Sequence, residues 1–239
     1  MITYTAARIL SEVLDSQGDG TGTTNQLPAA KTVSGATNAT PIVVTATSHG
    51  YSDGDFVNIT GVAGNTAAND LHVIANKTTN TFELTTPAGA DVAGNGSYSS
   101  GGACHLSFVC KPGSGEQYCV HKFGGYFMGG AASMPDKYLF TAALTNGIQV
   151  QVRQDTTVVH TLSPTAIKTA PAGWSLGAAP LPPISYFSGG GAFNFRWDFA
   201  GCAVNLDGDA DEFFVVLHSD DMTSTAVEQQ LMSVHGESI

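Results

Sequence analysis

Between Gly35 and Leu84 the chain is cut repeatedly by turn-forming residues, and the pieces between the cuts are β-branched or aromatic. Ile42, Val43 and Val44 make one piece. Phe56, Val57 and Ile59 make a second, Leu71, Val73 and Ile74 a third, and Thr81 to Thr85 a fourth. His49-Gly50, Asp53-Gly54 and the run from Asn65 to Asp70 supply the breaks. Pieces this short cannot hold an amphipathic helix but suffice for strands. Short strands joined by Gly/Asn turns predict a small barrel or open sandwich. Gly94, Gly96, Gly101 and Gly102 mark its exit.

The remainder of the 239 residues points the same way. Charged residues are 12% of the chain, against about 25% in an ordinary domain. The polar complement is Thr, Ser, Asn and 28 glycines, which suits pleated sheets and positive-φ turns. Hydrophobic residues, at 42%, are enough for a real core. Ile148, Val150 and Val152 alternate with Gln149, Gln151 and Arg153, which predicts a half-buried strand. A turn at Gln154-Asp155 and the run Thr156 to Leu162 complete a hairpin. Phe193, Phe195, Trp197 and Phe199 alternate with Asn194, Arg196 and Asp198, a second such strand. Phe213 to Leu217 is apolar throughout and reads as buried on both faces. One helix is expected, within residues 1–14, with Ile9, Leu10, Val13 and Leu14 on one side. The fold class is therefore all-β: a β-sandwich with jelly-roll-like connections, carrying a small β-barrel-like module.

A net charge of −11 repels phosphate, so a nucleic-acid partner is not expected. Neither a secretory signal in residues 1–14 nor an apolar run of membrane-spanning length is visible, so no membrane partner is expected. Asn38, Asn58, Asn76 and Asn95 fall in Asn-x-Ser/Thr triplets, which an Asn/Thr-rich β module generates without any glycosylation.

Few constellations suggest chemistry. Asp207-Gly-Asp-Ala-Asp-Glu212 begins like a Ca²⁺ loop, making Asp207, Asp209 and Asp211 weak cation candidates. An EF-hand needs Gly at its sixth place and Glu at its twelfth, where this chain has Glu212 and His218. A solvated turn between strands is the expectation. Asp15-Ser-Gln-Gly-Asp-Gly20 is a weaker case of the same kind. Cys104, Cys110, Cys119 and Cys202 contain no Cys-x-x-Cys pair, and the spacing of Cys110, Cys119 and His121 matches no standard metal site. No Gly-x-Ser-x-Gly elbow or phosphate-binding loop occurs; Lys111-Pro-Gly-Ser-Gly115 has its lysine on the wrong side and reads as a turn. The alternate aromatics from Phe193 to Phe199 suit a sandwich core better than a sugar platform. No catalytic residue, cofactor or metal is expected, although a glycosidase carboxylate pair is invisible in sequence.

Two resemblances organise these readings. The ordered set of Val-rich strand, Ser48-His-Gly50 turn, Gly54-Asp-Phe-Val-Asn-Ile-Thr-Gly61 strand, Asn-rich turn and Asn80-Thr-Phe-Glu-Leu84 strand resembles a small β module recurrent in tailed-bacteriophage virion proteins, especially tail and baseplate-associated ones. Asp15…Gly-Asp-Gly-Thr-Gly22, Leu144-Thr-Asn-Gly-Ile-Gln-Val150, Pro164…Ile167-Lys-Thr169…Trp174, Arg196-Trp-Asp-Phe199, Leu206-Asp-Gly…Phe213…Val216-Leu217 and Ser219-Asp-Asp-Met-Thr223…Ser233-Val-His-Gly236 together look like a family of uncharacterised phage virion proteins. The run Glu228 to Met232 matches that family's ending only loosely. In that pattern the N-terminal segment continues directly into the region of Cys104 to Phe127. The resemblance thus implies three parts: an N-terminal arm and start of the host sandwich at 1–32, an inserted module at 33–102, and the main sandwich at 103–239. It implies a non-enzymatic virion component assembled in the host bacterial cytoplasm, most simply a capsid decoration, minor capsid or neck-collar protein. Other virion proteins and further copies of itself are the implied partners. A tail or fibre-attachment part, or an adhesin for host-surface glycan, is the alternative. A reducing cytoplasm favours free thiols, and released particles permit a later disulfide among Cys104, Cys110, Cys119 and Cys202.

Overall fold

A computed structural model describes residues 8–15, 30–129, 146, 148–161, 175–176, 179–180, 187–189, 192–198, 204–218 and 227–238. The first strands are β1 (Arg8–Asp15), β2 (Lys31–Thr32), β3 (Gly35–Ala36), β4 (Val43–Thr45), β5 (Phe56–Thr60), β6 (Asp70–Ala75) and β7 (Thr81–Thr85). Next come β8 (Ala103–Leu106), β9 (Phe108–Cys110), β10 (Gln117–Gly129), β11 (Ile148–Gln154) and β12 (Thr157–Thr161). The last are β13 (Ser175–Leu176), β14 (Ala179–Pro180), β15 (Phe187–Gly189), β16 (Ala192–Asp198), β17 (Val204–Asp207), β18 (Glu212–His218) and β19 (Val227–Ser238). The fold is all-β, and among the described residues the only helical element is a 3₁₀ turn at Thr66–Ala68.

The module is a closed barrel. Its strands run in the order β8-β5-β6-β7-β4, all antiparallel. Residues 31–36 then join the two ends. β2 pairs with β8, β3 pairs with β4, and between them Val33 N–H donates to Gly102 O and Ser34 N–H to Thr45 O, each at 2.9 Å. One short stretch therefore hydrogen-bonds both edges and leaves no open ladder. The closing strands lie on either side of 33–102, so the barrel spans Lys31 to Leu106. Alternate residues of each strand point inward, and Ile42, Val44, Val57, Ile59, Phe82 and Leu84 are fully buried there.

The host part holds two antiparallel sheets. One has the order β1-β19-β10-β16-β15, with β17 continuing beside β16 along β10. The other has the order β12-β11-β18-β9. Two turns cross from one sheet to the other, 111–116 between β9 and β10, and 208–211 between β17 and β18. They lie together: Gly208 N–H donates to Glu116 O at 2.9 Å, and a Cβ on Gly208 would fall 1.9 Å from Gly113 O, so only glycine fits.

The structure corrects the expected N-terminal helix. Arg8–Asp15 is a strand paired along its whole length with β19, from Arg8 opposite Ser238 to Asp15 opposite Leu231. Eight successive cross-strand partners outweigh a helical spacing of four apolar side chains. A second correction concerns β11. Val150 and Val152 are buried as expected, but Gln151 and Arg153 on the other face are buried too. The barrel covers that face.

Candidate functional site

The barrel sits on the four-stranded sheet. On its outer wall, β5 and β8 bring Asn58 opposite His105, and β6 adds Leu71 beside Asn58. All three are buried. Leu71 and Phe56 pack with Phe213, Val215 and Leu217 of β18 and Val109 of β9 in a separate apolar cluster. The Phe56 and Phe213 ring centroids are 5.6 Å apart at a 52° tilt. This explains why Phe213 to Leu217 is buried on both sides: odd positions meet the barrel, and Phe214 and Val216 face the other way.

Polar contacts lock the same seam. Arg153 Nη2 donates to Asp70 Oδ1 at 2.9 Å, linking β11 to the start of β6. Ala88 N–H in the β7 exit turn donates to Asp155 Oδ1 at 2.9 Å. Lys111 Nζ donates to Pro87 O at 2.7 Å and to Asp211 Oδ1 at 2.9 Å. Beside the ion pair, a cleft of 530 Å³ opens between barrel and sheet, its walls including Thr60, Asn69, Asp70, Gln149, Arg153 and Leu217. That is within the size range of small-molecule sites, which favour such junctions. Asn69 is committed elsewhere: its amide accepts from Val62 N–H at 2.8 Å and donates to Val62 O at 2.9 Å. Asp70 has φ of 124°, left-handed space that a side chain rarely occupies.

The acidic run is a turn whose carboxylates diverge to separate donors. Asp207 Oδ1 accepts from Asp209 N–H, and its Oδ2 from Gln117 Nε2. Asp209 Oδ1 accepts from Gly115 N–H at 2.8 Å and Ser114 Oγ at 2.9 Å. These two bonds hold the Asp209 carboxyl below its usual pKa. Asp211 pairs with Lys111, and Glu212 accepts from Asp207 N–H. The run thus stitches the two crossover turns together. Among the described residues no three His, Cys, Asp or Glu side chains converge as a metal would require. Asp15 ends β1, and the rest of its acidic run lies outside the described residues.

The cysteines divide. Cys104 and Cys110 are free and buried, and Cys119, on β10, is disulfide-bonded. Cys202 lies outside the described residues. Burial pushes the Cys104 thiol up to about 12, so it carries almost no thiolate at neutral pH and is no nucleophile. Nearby, Tyr51 N–H donates to His49 Nδ1 at 3.0 Å and Tyr51 Oη to Cys104 O at 3.0 Å. His49 also meets the edge of Phe82, 5.1 Å between centroids. The Ser-His-Gly turn is therefore a core staple of the barrel. The strand of alternate aromatics is β16, between β10 and β15, with Phe199 outside the described residues.

Sequence reading missed the residues that make the seam. Arg153 and Asp70 are far apart in sequence and each looks like an ordinary surface charge. No protein-family model matches the chain, and no curated protein does.

Proposed function

We propose that this chain is a non-enzymatic structural protein of a tailed-phage virion: a capsid decoration, minor capsid or neck-collar accessory protein working through repeated contacts among copies and neighbours. The observation that carries this reading is how the module is mounted. A closed barrel offers no sheet edge of its own, and it is held on the host sheet by an apolar patch and three polar anchors. That arrangement suits a rigid spacer whose orientation must survive assembly. A low share of long charged side chains also suits a protein packed among many neighbours, because ordering Lys and Glu costs rotamer entropy. The sequence pattern of the module adds to this reading. Affinity in such an assembly would come from buried interface area and multivalency, with no chemical step.

The test is a cryo-EM reconstruction of intact particles with the chain traced in density. Many symmetric copies on the shell or neck, barrels outward, are expected. Purified particles lacking the chain would sink the proposal; placement at a tail tip would replace it with the tail or adhesin reading.

A further inference from the structure

We propose that strand β12 is a self-association site, whose free edge pairs antiparallel with β12 of a second copy of this chain. β12 is the outermost strand of the four-stranded sheet, and among the described residues nothing pairs with its outer side. All five residues from Thr157 to Thr161 are exposed. Val158 and Val159, 41% and 38% exposed, are the only large apolar side chains so exposed among the described ones. Two adjacent valines on an unpaired ladder are what a further strand would cover. Two other edges are guarded. β9, at the far side of the same sheet, has Phe108 and Cys110 buried, and its Val109 packs in the apolar cluster beneath the barrel. β1, an edge of the larger sheet, carries Arg8, Glu12 and Asp15. β12 contains no proline, no lysine and no acid. It has one bulge: Val152 pairs with His160 and Arg153 with Val158, so Val159 has no direct partner on β11. A bulge twists an edge strand but adds no charge to repel a partner.

The occupant is a second copy because the strand complements itself. Thr-Val-Val-His-Thr reads Thr-His-Val-Val-Thr in reverse. A two-fold pairing centred on Val159 therefore sets Thr157 against Thr161, Val158 against His160, and Val159 against its own counterpart. Thr–Thr and Val–Val are favourable cross-strand pairs, and no like charges meet. Charge matters here because two copies each carry −11 and repel one another. A contact between them has to lie where acidic side chains are missing, and β12 supplies such a strip. Five residues bury little area, so the contact is weak alone and gains strength only when many copies are arrayed. Self-pairing needs no particle, so the purified chain tests it apart from the virion reading.

The experiment is sedimentation equilibrium of the full chain beside its Val159→Lys variant. A monomer–dimer equilibrium with a dissociation constant on the order of 100 μM is expected for the unaltered chain. Val159→Lys opposes two lysines at the two-fold axis and should weaken association about tenfold or more. The same substitution lowers the net negative charge, so overall repulsion alone would predict tighter association, and only a local contact predicts a loss. Val159 is exposed, so the variant should keep its fold, which circular dichroism checks. Val159→Cys supplies a second readout should lysine disturb the strand. Mild oxidation should give a covalent dimer joined between the two copies of position 159, because directly opposed Cβ atoms lie within reach of a disulfide. Three results would each overturn the proposal: an unaltered chain that stays monomeric up to about 1 mM, dimer affinity unchanged in a folded Val159→Lys protein, or no disulfide between the two copies of position 159.

Discussion

Asn65 in the barrel and Arg153 in the four-stranded sheet are both almost wholly buried polar residues, and they are treated differently. Asn65 Nδ2 donates to Thr37 O at 2.8 Å and its Oδ1 accepts from Asn95 N–H at 3.0 Å, so one side chain ties three loops. Arg153 is left with an unused nitrogen and a half-exposed partner. Asn65 is spent on closing the barrel, whereas Arg153 keeps one nitrogen unused, as do two barrel histidines, His72 with both ring nitrogens and His49 with Nε2.

Damage to the barrel's centre should be the most severe. Phe82 is fully buried against His49 and Tyr51, and Phe82→Ala is expected to cost about 3–5 kcal/mol. Denaturant unfolding with two probes, one in the barrel and one in the host sheets, would measure it. If only the barrel signal shifts, barrel and sheet are separable; a common shift would show that the seam couples them into one cooperative unit.

The host part carries a covalent tie where the barrel's thiol, Cys104, stays free. Cys119→Ser should cost about 2–4 kcal/mol under oxidising conditions and almost nothing in reductant. Thiol titration of the unfolded wild-type chain without reductant should find the free pair, Cys104 and Cys110, and not four reactive groups. Four would break the contrast between the regions.

At the seam the expected loss is smaller. Arg153→Ala removes a buried cation, but Asp70 remains half-exposed and water can solvate it, so about 1–3 kcal/mol is expected. The same substitution should leave the isolated unfolding signal of the barrel core unchanged. A barrel destabilised as strongly as by Phe82→Ala would mean that the two regions do not differ as described.

The two regions also differed in how far sequence revealed them. Strands β5, β6 and β7 were legible because β-branched and aromatic residues lie between strong turn signals, and Thr81–Thr85 has the expected bounds. The closing stretch 31–36 carries Gly35 and Ala36 where a strand would show larger side chains, so barrel closure was not visible. β1 was misread because Ile9, Leu10, Val13 and Leu14 satisfy a helical period; only its partner β19, at the far end of the chain, decides for a strand. Gln151 and Arg153 looked solvent-facing because alternation reports polarity, and polarity does not reveal a second layer stacked on that face. Asn65 and Asn69 announced a turn but not the loops they bind. The Asp207 to Glu212 run was rightly a turn between strands, yet its partners in 111–116 come from a distant segment.

The smallest effect expected is a pH dependence, and it comes from a buried barrel side chain whose ring nitrogens have no hydrogen-bond partner. His72 is buried on β6, level with Val57 on the barrel's inner side. Burial lowers its pKa from the usual 6.5, with the Asp70 carboxylate opposing that shift and the Arg153 guanidinium reinforcing it. In the unfolded chain the imidazole takes up its proton near the ordinary value; in the folded chain it stays neutral until lower pH. Between those two values the unfolded state binds more protons, so stability falls as pH is lowered through that window, by no more than about 1.4 kcal/mol per pH unit. Above it, His72 is neutral in both states and contributes no slope. His72→Leu should flatten the denaturation midpoint as pH is lowered from the ordinary histidine value of 6.5, while Phe82→Ala keeps the wild-type slope. An unchanged slope in His72→Leu would show that His72 does not carry the acid sensitivity of this window. Asp209→Asn should act only at more acidic pH, because a carboxyl held below its ordinary pKa stabilises the fold above that range and loses its contribution as pH falls through its folded value.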